Sequence, residues 1–181
     1  EFEQYQTDSE IAAEILWNAY MKGDIEGKTI LDAGCGPGIF GIGCLLLGAE
    51  KVHFVDVDED SIELCKKNLE DFYEGDNLEI INNDIKDIEI RVDIVFENPP
   101  FGSKKKHADK AFLEKVIKLS NIVYSLHLTE TKRFVESFSK DNGLKITARW
   151  KFNFPLKKSM QYHTKKKEII DVTCYRFEKK E

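Results

Sequence analysis

Short apolar runs alternate with amphipathic stretches along most of this chain, and the two periods succeed one another in a regular order. Thr7 and Glu10 have the T-x-x-E spacing of a capping box. Ile11, Ile15, Leu16, Ala19 and Tyr20 follow at helical spacing, with Gly23 placed to stop the helix. Residues 29–33 read as a strand, followed by a glycine-rich turn at 34–38 and a helix reaching Gly48. Residues 52–57 predict a second strand, and Asp58 or Asp60 opens a helix that runs to about Phe72. A third strand is expected over 78–81 and a fourth over 92–96. Asp109 is placed to cap a helix through Leu119, and 122–125 reads as a fifth strand. Thr129 is placed to cap a helix reaching Ser139, with Asp141, Asn142 and Gly143 as its stop.

The last part of the chain changes period. Ile146, Ala148, Trp150, Phe152 and Phe154 alternate with polar positions, as do Ile170, Val172 and Cys174. Two strands joined by the basic loop 155–167 read as an antiparallel hairpin. Five β/α units followed by a hairpin predict an α/β fold with a doubly wound, mostly parallel sheet and an antiparallel feature at its C-terminal end. No repeat, low-complexity tract or linker interrupts the pattern, so residues 1–181 are expected to form a single domain.

Composition narrows the class. Hydrophobic residues make up 41% of the chain and charged residues 33%, as in water-soluble globular proteins. No apolar run approaches the roughly 18–20 residues that span a bilayer, and no signal-peptide pattern opens the chain. It begins at Glu1 and not at Met, as expected if upstream residues have been removed. Cys35, Cys44, Cys65 and Cys174 have neither CxxC spacing nor histidine neighbours, so free thiols, no metal site and a cytoplasmic location are expected. A net charge of −6 argues against a basic nucleic-acid binder as a whole. The positive charge is concentrated, however, in Lys104, Lys105 and Lys106, and in Lys157, Lys158, Lys165, Lys166 and Lys167. Local patches of this kind decide where a phosphate backbone can lie.

The fourth strand runs into Asn98, Pro99, Pro100 and Phe101. Two prolines cannot continue a sheet ladder, so the strand ends there. The turn places an amide, a rigid carbonyl and an aromatic ring where ligands bind in open α/β sheets. The amide oxygen and the Pro99 carbonyl can accept both hydrogens of one planar amine, and Phe101 can stack on the ring that bears it. That constellation suits a nucleobase NH2 group acting as a nucleophile.

The first strand runs into Asp32-Ala33-Gly34-Cys35-Gly36-Pro37-Gly38. Gly36, Gly38 and Gly41 match the dinucleotide fingerprint, which brings a nicotinamide cofactor into consideration. Charge points elsewhere. Asp32, Asp56 and Asp84 all lie at predicted C-terminal strand ends, and no Lys or Arg lies between Thr29 and Glu50. A pyrophosphate would be repelled, whereas a ligand carrying an ammonium and a sulfonium would be attracted. S-adenosylmethionine is such a ligand. Asp56 stands 20 residues beyond Gly36, the separation of an acid that holds ribose hydroxyls. Asp84 can accept from the adenine amine while the Ile85 N–H meets the ring.

Together these segments resemble the class I methyltransferases, and within them the methyltransferase-like five group of RNA adenine-N6 enzymes. The resemblance spans nearly the whole chain. It is carried by Glu3-Gln4-Tyr5-Gln6-Thr7, the glycine loop, Asp56-Val57-Asp58, Asn98 to Gly102, Ala111-Phe112-Leu113, Tyr124-Ser125-Leu126-His127 and the lysine-rich stretch before Ile169. The glycine loop is generic to class I, and the Asn98 turn marks transfer to an amine. The long run that usually precedes the Gln-Tyr segment is absent here. The resemblance implies a Rossmann-like, seven-stranded sheet. It also implies that Gln4 and Thr7 touch the methionine end of the cofactor, and that Gly34 and Pro37 form loop contacts. It further implies a small zinc-containing activator protein docked on a sheet edge. In the class I strand order the third strand, 78–81, is such an edge, apolar and without Pro or Lys. Guanine-N2 RNA methyltransferases and glutamine methyltransferases share the Asn-Pro-Pro-aromatic turn, and a silent cofactor-binding scaffold is the alternative outside catalysis.

Overall fold

The central strands are apolar on both faces because helices cover both sides of the sheet, as a doubly wound arrangement requires. In the computed structural model residues 7–99, 108–156 and 168–180 are described. The chain runs through α1 (Ser9–Met21), β1 (Thr29–Ala33), α2 (Ile39–Leu46), β2 (Lys51–Asp56), α3 (Glu59–Phe72) and β3 (Leu78–Asn82). It continues through β4 (Ile94–Glu97), α4 (Ala108–Leu119), β5 (Ile122–Leu128), α5 (Lys132–Asp141), β6 (Leu144–Leu156) and β7 (Glu168–Lys179). The seven strands pair in the order β3-β2-β1-β4-β5-β7-β6. The first five are parallel to one another, and β7 lies antiparallel between β5 and β6. This is the mostly parallel sheet with a terminal hairpin that the pattern predicts and the Rossmann-like, seven-stranded order that the resemblance implies, with β3 at one edge.

Alternate residues of each strand enter two cores. Ile30, Phe54, Phe96 and Tyr124 pack with α1, α2 and α3 on one face. Leu31, Val55, Val95 and Val123 pack with α4 and α5 on the other. On the first face Phe40, Phe96, Tyr124 and Trp150 form a run of stacked rings across the sheet. A buried ion pair ties the chain after α1 to β7. Arg176 Nε donates to Asp24 Oδ2 at 2.7 Å, and the Tyr124 hydroxyl donates to the same oxygen at 2.6 Å.

The periodicity misplaces several details. Thr7 is not the cap of α1; Asp8 is, its Oδ1 accepting from the Glu10 N–H at 3.0 Å. Asp58 and not Asp60 caps α3, through the Ser61 N–H. Asp109 is the second residue of α4 and not the residue that precedes it. Thr129 opens a 3₁₀ turn instead of α5, and its hydroxyl bonds Thr173 across the sheet at 2.8 Å. Strand β5 runs on to Leu128 because β7 pairs with its far end, a tertiary contact that local pattern does not contain. Ile146 faces the opposite core from Trp150, Phe152 and Phe154. A bulge between Ile146 and Ala148 reverses the alternation, and Thr147 there accepts from Arg176 Nη1 at 2.6 Å.

The hairpin extends beyond its neighbour. Strand β5 ends at Leu128 opposite Val172, whereas β6 and β7 stay paired as far as Leu156 and Glu168. Because β6 is parallel to β5, this extension lies at the C-terminal edge of the sheet, the edge where β1, β2 and β4 also end.

Candidate active site

Three neighbouring parallel strands, β2, β1 and β4, deliver their C-terminal turns to one edge. Adjacent strands whose connections leave in this way open a crevice between their turns, and residues there are held by the sheet behind them.

The loop after β1 is anchored by its backbone. The Gly34 and Cys35 N–H groups donate to the Val55 carbonyl at 2.8 and 2.9 Å, and the Gly38 N–H donates to the Cys35 carbonyl at 2.8 Å. Gly38 has φ +86, and a Cβ there would sit 2.7 Å from Cys65 Sγ. At Gly41 a Cβ would fall 2.2 Å from the Phe54 ring, so the third glycine of the fingerprint is needed for close packing of α2 on the sheet. The Pro37 carbonyl accepts from Asn68 Nδ2 at 2.9 Å. The Phe112 ring of α4 lies 3.4 Å from the Cβ position of Gly34.

Two carboxylates close the loop from below. Asp32 Oδ2 accepts from the Gly41 N–H at 2.8 Å. Asp56 Oδ2 accepts from the Gly36 N–H at 2.8 Å, and its Oδ1 accepts from the Asp58 N–H at 2.9 Å. Both are buried. Burial pushes the Asp32 carboxyl up to about 8, with Asp56 adding repulsion against the partial relief from Gly41. Each carboxylate oxygen retains a second lone pair, so Asp56 can still receive ribose hydroxyls. Asp84 follows β3 and caps the 3₁₀ turn Ile85–Asp87. The Lys86 N–H bonds Asp84 Oδ1 at 3.0 Å, and Lys86 Nζ lies 3.0 Å from Oδ2. The backbone bond from Lys86 holds the Asp84 carboxyl below its usual range. Ile85 beside it is buried.

Asn98 follows β4. Its Nδ2 donates to the Thr7 hydroxyl at 2.9 Å, which gives Thr7 a role that the capping reading missed. Its Oδ1 is buried and has no hydrogen-bond partner among the described residues. A buried amide oxygen left without a donor costs about 1–3 kcal/mol, and such a group marks a place where a donor is received. Pro99, the next residue, is buried. Gln4, Pro100, Phe101, Lys104, Lys105, Lys106, Lys157, Lys158, Lys165, Lys166 and Lys167 lie outside the described residues.

One cluster here escaped the sequence reading. Glu97 is fully buried next to Asn98, and its Oε1 accepts from the Ser125 hydroxyl at 2.5 Å. Ser125 Oγ lies 2.7 Å from His127 Nε2. The Ser-x-His spacing on a strand puts both on one face, which was the available signal. All four cysteines are free and buried. No group of metal-binding side chains occurs among the described residues, and no helix among them is long and apolar enough to cross a membrane.

Known proteins resemble this chain in sequence and fold. Residues 6–126 match the family described as Methyltransferase small domain. The zebrafish (Danio rerio) rRNA N(6)-adenosine-methyltransferase METTL5 is 33% identical over 182 residues, covering 97% of this chain and 87% of that protein. The crystal structure of a putative RNA methyltransferase from Pyrococcus horikoshii superposes with a TM-score of 0.89 at 43% identity, covering 98% of this chain and 88% of that one. Magnesium protoporphyrin IX methyltransferase from Synechocystis, solved with bound S-adenosylmethionine, shares the fold alone, at a TM-score of 0.75 and 16% identity over 95% of this chain and 79% of that one. With the glycine loop, the paired carboxylates and Asn98 brought to one sheet edge, this chain belongs to the methyltransferase small domain family and is a methyltransferase.

Proposed function

We propose that this chain methylates the N6 amine of an adenine in RNA, with small-subunit ribosomal RNA as the class of substrate and S-adenosylmethionine as the methyl donor. The observation that carries the reading is the buried Asn98 Oδ1, which has no partner among the described residues and stands at the end of the strand beside the glycine loop. An acceptor held in this way fits an amine hydrogen and has no use for a substrate without one. The likeness to rRNA adenine-N6 methyltransferases supports the choice of base and of RNA.

The residues present suit the cofactor. The carboxyls of Asp32 and Asp56 stand where its ammonium and sulfonium would lie, a cation there drawing Asp32 into its ionised form, and the backbone of Gly34, Gly36, Pro37 and Gly38 can approach it closely. Asp56 would hold the ribose, Asp84 and Ile85 the adenine, and Gln4 and Thr7 the methionine end. Bound S-adenosylmethionine supplies an activated methyl group on sulfur.

The target adenine reaches the site unpaired or flipped out of its stack, because the N6 lone pair is inaccessible in a duplex. Phe101 stacks on the base, a contact worth roughly 1–3 kcal/mol. Asn98 Oδ1 and the Pro99 carbonyl accept the two N6 hydrogens, which weakens conjugation of the nitrogen with the ring and points its lone pair along the reaction axis. Thr7 keeps the Asn98 amide from rotating, so the oxygen is the atom presented. As N6 bonds to the methyl carbon, the carbon–sulfur bond breaks and its electron pair stays on sulfur. The new ammonium then loses one proton to solvent. It is acidic enough to need no strong base, and the remaining acceleration is proximity and alignment. Pro100 fixes the turn, and the two lysine clusters carry backbone phosphates.

The outer side of β3 has no strand partner among the described residues. Glu79 on this strand meets Lys51 Nζ at 3.4 Å and His53 Nδ1 at 3.1 Å, and Ile80 and Ile81 are half-buried. This edge suits strand addition by a small zinc-containing activator protein. The reading carries a cytoplasmic location and a heterodimer. Light scattering that found a stable, fully active monomer would remove the partner from it.

The test is mass spectrometry of nucleosides after incubation with ribosomal RNA and labelled S-adenosylmethionine, with and without an activator. Label in N6-methyladenosine is the expected result. Label in N2-methylguanosine would keep the mechanism and change the base, and label in protein alone would exclude RNA. The Asn98→Ala variant should lose transfer while still binding the cofactor; transfer near the wild-type rate would refute the role given to Asn98.

A further inference from the structure

Glu97, Ser125 and His127 form a buried polar chain directly behind the amine-accepting turn. Their relative exposures are 0%, 0% and 3%. On this face Leu31, Val95 and Val123 of the neighbouring strand positions are apolar. Burying a carboxylate is expensive, and well-packed apolar residues would cost less. What the polar residues add is directional geometry.

The place of that geometry in the sheet is specific. Glu97↔Ser125 is the last pair of the β4–β5 ladder, and Ala33↔Glu97 is the last pair of the β1–β4 ladder. Backbone pairing therefore stops one residue before Asn98. A strand end frays where its ladder stops, yet Asn98 must present an oxygen to a small, fixed target. The carboxylate of Glu97 accepts from Ser125 Oγ at 2.5 Å, in the distance range of hydroxyl–carboxylate bonds, which are stronger than neutral ones. The single Ser125 proton is committed to Glu97, so the 2.7 Å contact with His127 is an N–H donated to Ser125 Oγ. The edge of the His127 imidazole meets the Tyr175 ring, their centroids 6.0 Å apart, so the far end of the chain is held by β7. Leu113 and Val116 of α4 close the same core over this face.

We infer that Glu97, Ser125 and His127 are positioning residues, forming a strut that fixes the end of β4 and thereby the aim of Asn98 Oδ1 and the Pro99 carbonyl. None of the three touches the reacting atoms. The strut acts from the α4 side of the sheet, while the Thr7 bond restrains the Asn98 amide from the α1 side. The inference rests on the amine-methylating reading.

The test compares wild type with Ser125→Ala, Glu97→Gln and the double variant, using RNA methylation kinetics, S-adenosylmethionine binding by calorimetry and thermal melting. A displacement of about 1 Å at a reacting centre can cost about a hundredfold. Ser125→Ala is expected to lower kcat about 10- to 100-fold at a temperature well below its melting point, with the cofactor Kd within twofold of wild type. Glu97→Gln keeps an acceptor oxygen for the Ser125 hydroxyl and should lose less, about threefold to tenfold. If the residues act as one strut, the double variant should be no slower than Ser125→Ala. Should Ser125→Ala fail to fold, Glu97→Gln decides alone, with a loss of threefold or more supporting the strut. A kcat within twofold of wild type for folded variants, or additive losses that follow cofactor affinity, would overturn it. No transfer to RNA by the wild type would overturn the amine-methylating reading and the strut with it, whereas active wild type with equally active variants would overturn the strut alone.

Discussion

Asp32 offers a test of the site's electrostatics that needs no substrate. Its carboxyl is buried at 2% relative exposure and pushed up to about 8, chiefly by loss of solvation. The unfolded chain ionises this residue near the ordinary carboxyl value of 3.8. Between those two pH values the folded protein holds a proton that the unfolded chain has released. Stability must therefore fall as pH rises through this window and level off above about 8. Each pH unit inside the window costs about 1.4 kcal/mol, so the loss from pH 5 to pH 8 is about 4 kcal/mol. Asp32→Asn removes the ionisation but keeps an oxygen that can accept from the Gly41 N–H. Urea unfolding of both proteins at constant ionic strength, from pH 5 to pH 8.5, should give profiles that start close together. They should separate until the variant is more stable by about 4 kcal/mol near pH 8. Saturating S-adenosylmethionine should flatten the wild-type decline, since a cation beside Asp32 favours its ionised form. Parallel profiles, or a wild type that gains on the variant as pH rises, would refute the reasoning.

Other consequences can be checked separately. Arg176→Met should lower stability by about 3–5 kcal/mol in chemical denaturation, because Asp24 would be left buried beside Tyr124 without its cation. Gly41→Ala should cost about 1–3 kcal/mol by the same measurement, since its Cβ would fall 2.2 Å from the Phe54 ring in a close-packed core. Thr7→Val removes the acceptor for Asn98 Nδ2 and should lower kcat more than it weakens cofactor binding, as read by steady-state kinetics beside calorimetry.

Much of this protein is determined locally. Period-two and period-3.6 patterning carries the order of strands and helices, because each strand in the sheet and each helix on it must show apolar residues to its own neighbours. The glycine loop, the positions of Asp32 and Asp56 beside it, and the end of β4 at Asn98 are legible for the same reason: each is a short segment at a strand end. Tertiary structure alone decided the rest. Thr7 reads as a helix cap until the fold brings it to Asn98, 91 residues away in the chain. Ile146 reads as one more residue of an alternating strand until the bulge at Thr147 turns it to the other core. Glu97 reads as the polar end of a strand, and only the parallel pairing of β4 with β5 shows that it is buried against Ser125. Local pattern reports which face of an element is apolar. Which two elements meet, and so which polar groups are forced to pair out of water, depends on contacts between residues far apart in the chain.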